Sequence, residues 1–260
     1  MIISVTSAAA DGATTTAVGM ALTWPRACWL VEADPAGGSA VLAGYLGGRH
    51  VHDRSVVDAC VAASHGQLSV LLSELVLPLV PGGDPPRMLM PGLRAHRQAR
   101  LLDGVWPELL DELRLRGRAG TDTIIDTGRL GMDGYPVQAL HGSDLVVVCA
   151  RTTLPALARL SSWAAGVSDV LGATTRSRVR VLPVGPGRPF SPGEVTRATG
   201  LPTLPGVPWS PETAEVYSAG RAVPSRKLER APLTHAYGTA GEAVRATAEK
   251  LHADIEGAAR

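Results

Sequence analysis

Apolar and polar positions alternate between two kinds of run along this chain. Short unbroken apolar stretches, as expected for strands covered on both faces, fall at Ile2–Val5, Ala27–Glu32, Arg87–Met90, Thr121–Asp126, Asp144–Cys149 and Val179–Val184, with a last short one at Thr203–Val207. Between them lie segments with apolar residues at helical spacing. One follows Thr14-Thr15-Thr16, with Ala17, Val18, Met20, Ala21 and Leu22 on its apolar side. Ser55–Ala63 predicts a helix with Val56, Val57, Cys60 and Val61 inward, and Val41–Leu46 a short helix or turn. Arg97–Arg116 predicts a helix presenting Leu101, Val105, Leu109, Leu110 and Leu113, with Pro107 opening a second helical piece. Further helices are predicted over Tyr135–His141, Leu154–Leu171, Glu194–Thr199, Pro211–Gly220 and Gly241–Ala259, while Leu68–Leu79 is simply apolar and Arg221–Pro232 irregular and basic. Strands that alternate with helices predict a single α/β domain over residues 1–260, doubly wound around a mainly parallel sheet.

At 260 residues with 45% hydrophobic and 19% charged positions, the chain is long enough for a sizeable core and is not of disordered composition. A net charge of +1 makes no general case for nucleic acid or an acidic substrate. Cys28, Cys60 and Cys149 are odd in number and widely spaced, which reads as buried free thiols in a reducing compartment. No basic n-region with an apolar h-region follows Met1, and no apolar run approaches the ~20 residues of a membrane span, so a cytoplasmic location is expected.

The first strand runs into a loop of small residues, Ser7–Ala13, and then into a helix N-terminus. That is the geometry that cradles a phosphate. Acidic residues mark later strand ends: Glu32 and Asp34 after the second, Asp126 after Thr123-Ile124-Ile125 and, more weakly, Asp144. Ligands of open parallel sheets sit at such carboxyl ends. Asp126 has the form of an acid that holds a Mg²⁺ water, and Thr14 the place of the hydroxyl that ligates the ion. Yet Ala13 stands where a phosphate-binding lysine belongs, and Lys227 and Lys250 are the only lysines in the chain. The reading is of a nucleotide-binding fold whose catalytic charges have been removed.

These residues resemble the ParA/MinD superfamily of deviant Walker ATPases. The family loop K-G-G-x-G-K-[ST]-[ST] is matched by Ala8-Ala9-Ala10-Asp11-Gly12-Ala13-Thr14-Thr15, its D-x-D-P switch by Glu32-Ala33-Asp34-Pro35, and its I-I-D-T strand by Ile124-Ile125-Asp126-Thr127. Ser143-Asp144-Leu145 opens a strand similar to the family's next one, and Leu201-Pro202-Thr203-Leu204-Pro205-Gly206-Val207-Pro208 resembles its late G-L-P segment. The likeness covers nearly the whole chain in the right order. Alanine for the loop lysine resembles the CpaE/TadZ and septum-site-determining branch, which implies a localisation factor for pilus, secretion or division machinery, recruited to pole or septum. The resemblance implies nucleotide contacts at Asp11, Gly12, Ala13, Thr14 and Thr15, Mg²⁺ association at Thr14, Glu32, Asp34 and Asp126, and a switch role for Asp34, wherever such functions are retained. The signature lysine that reaches a dimer partner's phosphates is Ala8 here, and Asp11 adds a negative charge.

Phosphoryl transfer is mainly charge stabilisation, and one arginine finger is worth about 10³–10⁵ in rate. With two lysines missing, hydrolysis is expected to be negligible. Arg129 and Arg151, each just past a strand end, are the candidate replacement cations, against a plainer reading as solvated arginines. The leading expectation is a non-catalytic scaffold that recruits a protein partner, with no cofactor and with a homodimer allowed. The alternatives are a weak Mg-ATP-dependent dimerising switch and a ParA-like DNA-binding partition protein. For DNA the support is Arg176, Arg178 and Arg180, or Arg221, Arg226, Lys227 and Arg230; solvated charge is the plainer account of both. The last helix carries Val244, Ala248, Leu251 and Ile255 on one side, but Glu242, Glu249, Asp254 and Glu256 dilute its basic charge. It is expected to dock on the domain, leaving membrane contact to a partner. His50, His52, Asp53, Cys60 and His65 lie close together without metal-ligand spacing, and no Gly-x-Ser-x-Gly supports hydrolase chemistry.

Overall fold

The computed structural model describes residues 1–258; Ala259, expected in the last helix, lies outside the described residues, as do the side chains of Ile255 and Glu256. The strands are β1 (Ile2–Ser7), β2 (Ala27–Glu32), β3 (Leu77–Pro78), β4 (Arg87–Met90), β5 (Thr121–Arg129), β6 (Leu145–Arg151) and β7 (Val179–Val184). The helices are α1 (Ala13–Thr23), α2 (Ala40–Ala43), α3 (Val56–Ser64), α4 (Leu68–Leu71), α5 (Trp106–Arg118), α6 (Val137–His141), α7 (Leu154–Ser177), α8 (Pro192–Thr199), α9 (Pro211–Ala219), α10 (Ser225–Glu229) and α11 (Pro232–Ala258).

The strands form one sheet in the order β3-β4-β2-β5-β1-β6-β7, parallel except for the edge pair β3 and β4. Each continuous apolar run serves two cores because successive side chains point to opposite faces. In β6, Leu145, Val147 and Cys149 join the layer of α1, α9 and α11, while Val146, Val148 and Ala150 join the layer of α7 and α8. In β2, Leu30 faces the first layer and Trp29 and Val31 face α3 and α5. A fully buried Leu, Ile or Val contributes roughly 1.5–3 kcal/mol, so these two-faced runs place the main stabilisation in the middle of the sheet. The helices after β1 and β6 leave on opposite faces of the sheet, and this opens a crevice at the carboxyl ends of those neighbouring strands.

Several expectations are corrected. The segment expected as one helix over Arg97–Arg116 is a 3₁₀ helix at His96–Leu102 followed by α5, which begins beside Pro107 as anticipated. The 3₁₀ repeat turns Ala99 and Leu102 inward and leaves Leu101 exposed. In α3 the small residues Ala59 and Ala62 face the core with Val56 and Val57, so Val61 is exposed and Cys60 only half-buried. Thr203–Val207 makes only isolated bridges to Val181 and Val184 rather than a strand. The apolar Leu68–Leu79 resolves into α4, a 3₁₀ turn and β3, where Pro78 is tolerated because the strand lies at the edge. A short helix, α10, interrupts the segment read as irregular. Asp144 precedes β6, so it lies at the amino ends of the strands, opposite the loop, where its Oδ2 accepts the Ile2 N–H at 2.7 Å.

The last helix starts nine residues before the expected Gly241, at Pro232. Its glycines are packing positions. A Cβ on Gly241 would meet the Trp24 ring at 3.3 Å, and a Cβ on Gly19 of α1 would fall 2.3 Å from the Tyr237 ring of α11. Glycine at both places lets α1 and α11 approach closely, and Leu233, Tyr237, Ala240, Val244 and Ala248 are buried in that contact. Docking of the last helix on the domain is therefore observed.

Candidate functional site

The loop after β1 is held by its own backbone. The Asp11 N–H donates to the Ala9 carbonyl at 2.8 Å, and the Thr16 N–H to that of Gly12 at 2.9 Å, which starts α1. Gly12 caps the helix at φ 85°, a left-handed conformation that favours glycine. It is the one left-handed residue in the loop, since among the described residues no non-glycine has positive φ. The alanines are packing groups: Ala13 belongs to the core under α1 at 5% exposure, Ala9 is buried, and Ala8 packs against the α7 layer.

The acids gather opposite the helix start. Glu32 and Asp126 are register partners on β2 and β5. Burial pushes the Asp126 carboxyl up to about 7; the Thr14 hydroxyl and the Gly128 N–H, which donates at 3.1 Å, oppose this, and the nearby charges of Glu32 and Asp34 add to it. Asp34 lies against Gly128, where a Cβ would come within 2.3 Å of its carboxyl carbon, and it accepts the Ala36 N–H at 2.8 Å. Thr14, Asp34 and Asp126 are thus brought together. Glu32, though adjacent, is a brace: it accepts from the Ser39 hydroxyl, from the Val41 N–H at 3.0 Å and from the Gly92 N–H at 3.2 Å. Those bonds hold α2 and the end of β4, and burial raises the Glu32 pKa despite them. Thr15 lines the cavity beside the loop.

Asp11 and Arg151 meet across the β1/β6 crevice. The Asp11 carboxylate turns toward β6, where the Arg151 backbone N–H donates to it, and its pKa is raised because burial outweighs that bond and the nearby Arg151 and Arg159 charges. Its Oδ2 is buried with no hydrogen-bond partner. The Arg151 guanidinium stacks on Trp209, 4.1 Å from the ring centroid. Arg151 is therefore half-buried in a built contact rather than a solvated cation, while Arg129 is exposed at the end of β5. Trp209, Pro208, Leu233 and Tyr237 complete a cavity of about 190 Å³ beside the loop, below the ~300–1,000 Å³ usual for ligand pockets. Sequence reasoning missed these residues. The Pro-rich segment after Leu201 was a signal for Pro208 and Trp209 alone, since Leu233 and Tyr237 come from α11.

No family model and no curated sequence matches the chain. Solved structures do. The chain is similar to a ParA family ATPase from Chlorobium tepidum TLS, at 14% identity over 93% of this chain and 98% of that one, with a TM-score of 0.73. The chain has the ParA/MinD fold. It is also similar to the MinC:MinD cell division protein complex of Aquifex aeolicus, at 14% identity, TM-score 0.67, covering 97% and 96% of the two chains. A third likeness is to cobyrinic acid a,c-diamide synthase from Mycobacterium smegmatis with bound ADP and magnesium, at 20% identity, TM-score 0.61, covering 93% and 92%. On this ParA/MinD fold the acid side of the site, Thr14, Asp34 and Asp126, has the oxygen donors a hydrated Mg²⁺ takes. The phosphate side has no lysine, its Ala13 is packed into the core, and a carboxylate stands at Asp11.

Proposed function

We propose that this chain is a non-catalytic scaffold of the ParA/MinD fold that recruits a protein partner. The observation that carries this reading is the loop itself, in which Ala8 and Ala13 serve as packing groups where a phosphate loop keeps its cations. Loss of two charge-stabilising groups removes several powers of ten in phosphoryl transfer. The Aquifex MinD is described in a complex with MinC, which supports a protein partner on this architecture. By the likeness to the CpaE/TadZ and septum-site branch, the partner belongs to pilus, secretion or division machinery, and the chain is cytoplasmic until that partner draws it to a pole or septum. No cofactor is required by this function.

A steady-state phosphate-release assay with Mg-ATP, run with and without duplex DNA, tests it. The expected rate equals that of the Asp126→Ala variant. Turnover that this substitution abolishes overturns the proposal. The convergence of Thr14, Asp34 and Asp126 favours one second reading, a weak Mg-nucleotide switch, and the same assay decides between them.

A further inference from the structure

The loop cavity is not the roomiest feature of the surface. Two grooves of about 660 and 600 Å³ flank the segment from Arg221 to Pro232, on either side of α10. Val216, Arg221, Val223 and Leu228 line both, so the two adjoin as one trough around α10. Cations line it. Arg226, Lys227 and Arg230 are exposed along the first groove, and Arg49 lines the second. Among the described residues, none of these four enters an ion pair; Arg221 beside them is paired, with Glu215 at 3.0 Å.

From this trough we infer that the chain docks an acidic amphipathic segment of a partner protein between α9, α10 and the β3 edge. The apolar floor takes the segment's hydrophobic side chains, and the unpaired cations take its carboxylates. Charge complementarity of this kind sets specificity and encounter rate. Duplex DNA fits less well, because it needs a cationic stripe against regularly spaced phosphates. Here Glu212, Glu215 and Glu229 stand among the cations and the floor is apolar. The basic residues read from the sequence as a DNA candidate thus become the rim of a protein groove. The same helix connects it to the loop, since Pro211 and Ala214 at the start of α9 line the loop cavity and Val216 lines the trough. This inference deepens the scaffold reading and rests on it for the kind of partner.

Fluorescence anisotropy on the full chain tests it, with three labelled probes: a 14-residue helical peptide of leucine and glutamate at amphipathic spacing, its lysine counterpart, and a duplex DNA. The glutamate peptide is expected to bind at least about tenfold more tightly than the other two. Charge reversal by Arg226→Glu with Lys227→Glu, both on exposed side chains, is expected to weaken it at least about tenfold, and Val223→Asp to do the same through the floor. Peptide binding unchanged in all variants, or tighter binding of the duplex, overturns the inference. The phosphate-release assay separates the two claims: a chain that binds the glutamate peptide and also hydrolyses ATP overturns the scaffold reading alone, and an inert chain that ignores the peptide overturns the trough alone.

Discussion

Asp126 is sealed from water beneath the loop, and burial, with Glu32 and Asp34 nearby, lifts its pKa from the usual 3.8 to about 7. The folded chain therefore holds a proton there that the unfolded chain releases above about pH 4. Stability contributed by the protonated carboxyl is full below that point and falls as pH rises toward 7. The urea midpoint of the wild type is expected to drop between pH 5 and pH 8, and Asp126→Asn to flatten the drop and be the more stable protein at pH 8, by at most about 4 kcal/mol. An Asp126→Asn protein less stable than wild type at pH 8 would contradict the electrostatics. At this scale the sequence shows Thr14, Asp34 and Asp126 plainly, because each stands where an apolar run or a small-residue loop ends. It shows Glu32 equally plainly, but not its employment. Whether a carboxylate at a strand end faces a ligand or caps a neighbouring helix depends on Ser39 and Gly92, which come from other parts of the chain. The Arg151–Trp209 stack was hidden for the same reason.

The contact between α1 and α11 depends on one missing side chain. Tyr237 occupies the space a Cβ on Gly19 would need, 2.3 Å from its ring, whereas a Cβ on Gly238, one residue along the same helix, meets nothing within 4 Å. Gly19→Ala is expected to destabilise the protein by about 1–3 kcal/mol through overpacking. Gly238→Ala is expected to be stabilising by about 0.5–1 kcal/mol, because glycine inside a helix costs that much relative to alanine. Thermal melts of the two variants check the pair, and equal effects would show that Tyr237 yields freely. Periodicity predicts α11 but not its start. Glycine weakens a helical pattern on paper, and only the opposing Trp24 and Tyr237 reveal why Gly241 and Gly19 belong inside helices. The 3₁₀ stretch at His96–Leu102 misleads in the other direction, since its three-residue repeat rotates Leu101 off the face a 3.6 period assigns.

For the whole molecule, six of the seven strands are visible in sequence as apolar runs, and only the two-residue edge strand β3 is not. A buried parallel sheet writes itself strongly into composition, whereas an edge pair of two residues leaves almost no pattern. The resemblance implies dimerisation through a lysine on the partner's phosphates, and Ala8 has no charge to offer. Light scattering is expected to give the same mass with and without Mg-ATP, and a mass doubled by ATP would assign that task to another residue. The order of the sheet also sets a schedule for synthesis. β1 is made before β5 and β6, the strands it lies between, while α1 awaits Tyr237 from the last helix. At ~5–20 residues per second, roughly 10–40 s separate Gly19 from Tyr237 on the ribosome. Within that interval β5 and then β6 arrive beside β1, and only α1 waits to the end for its packing partner. A chain truncated before Pro232 would complete the sheet but leave the apolar face of α1 uncovered, exposed to chaperones and proteases.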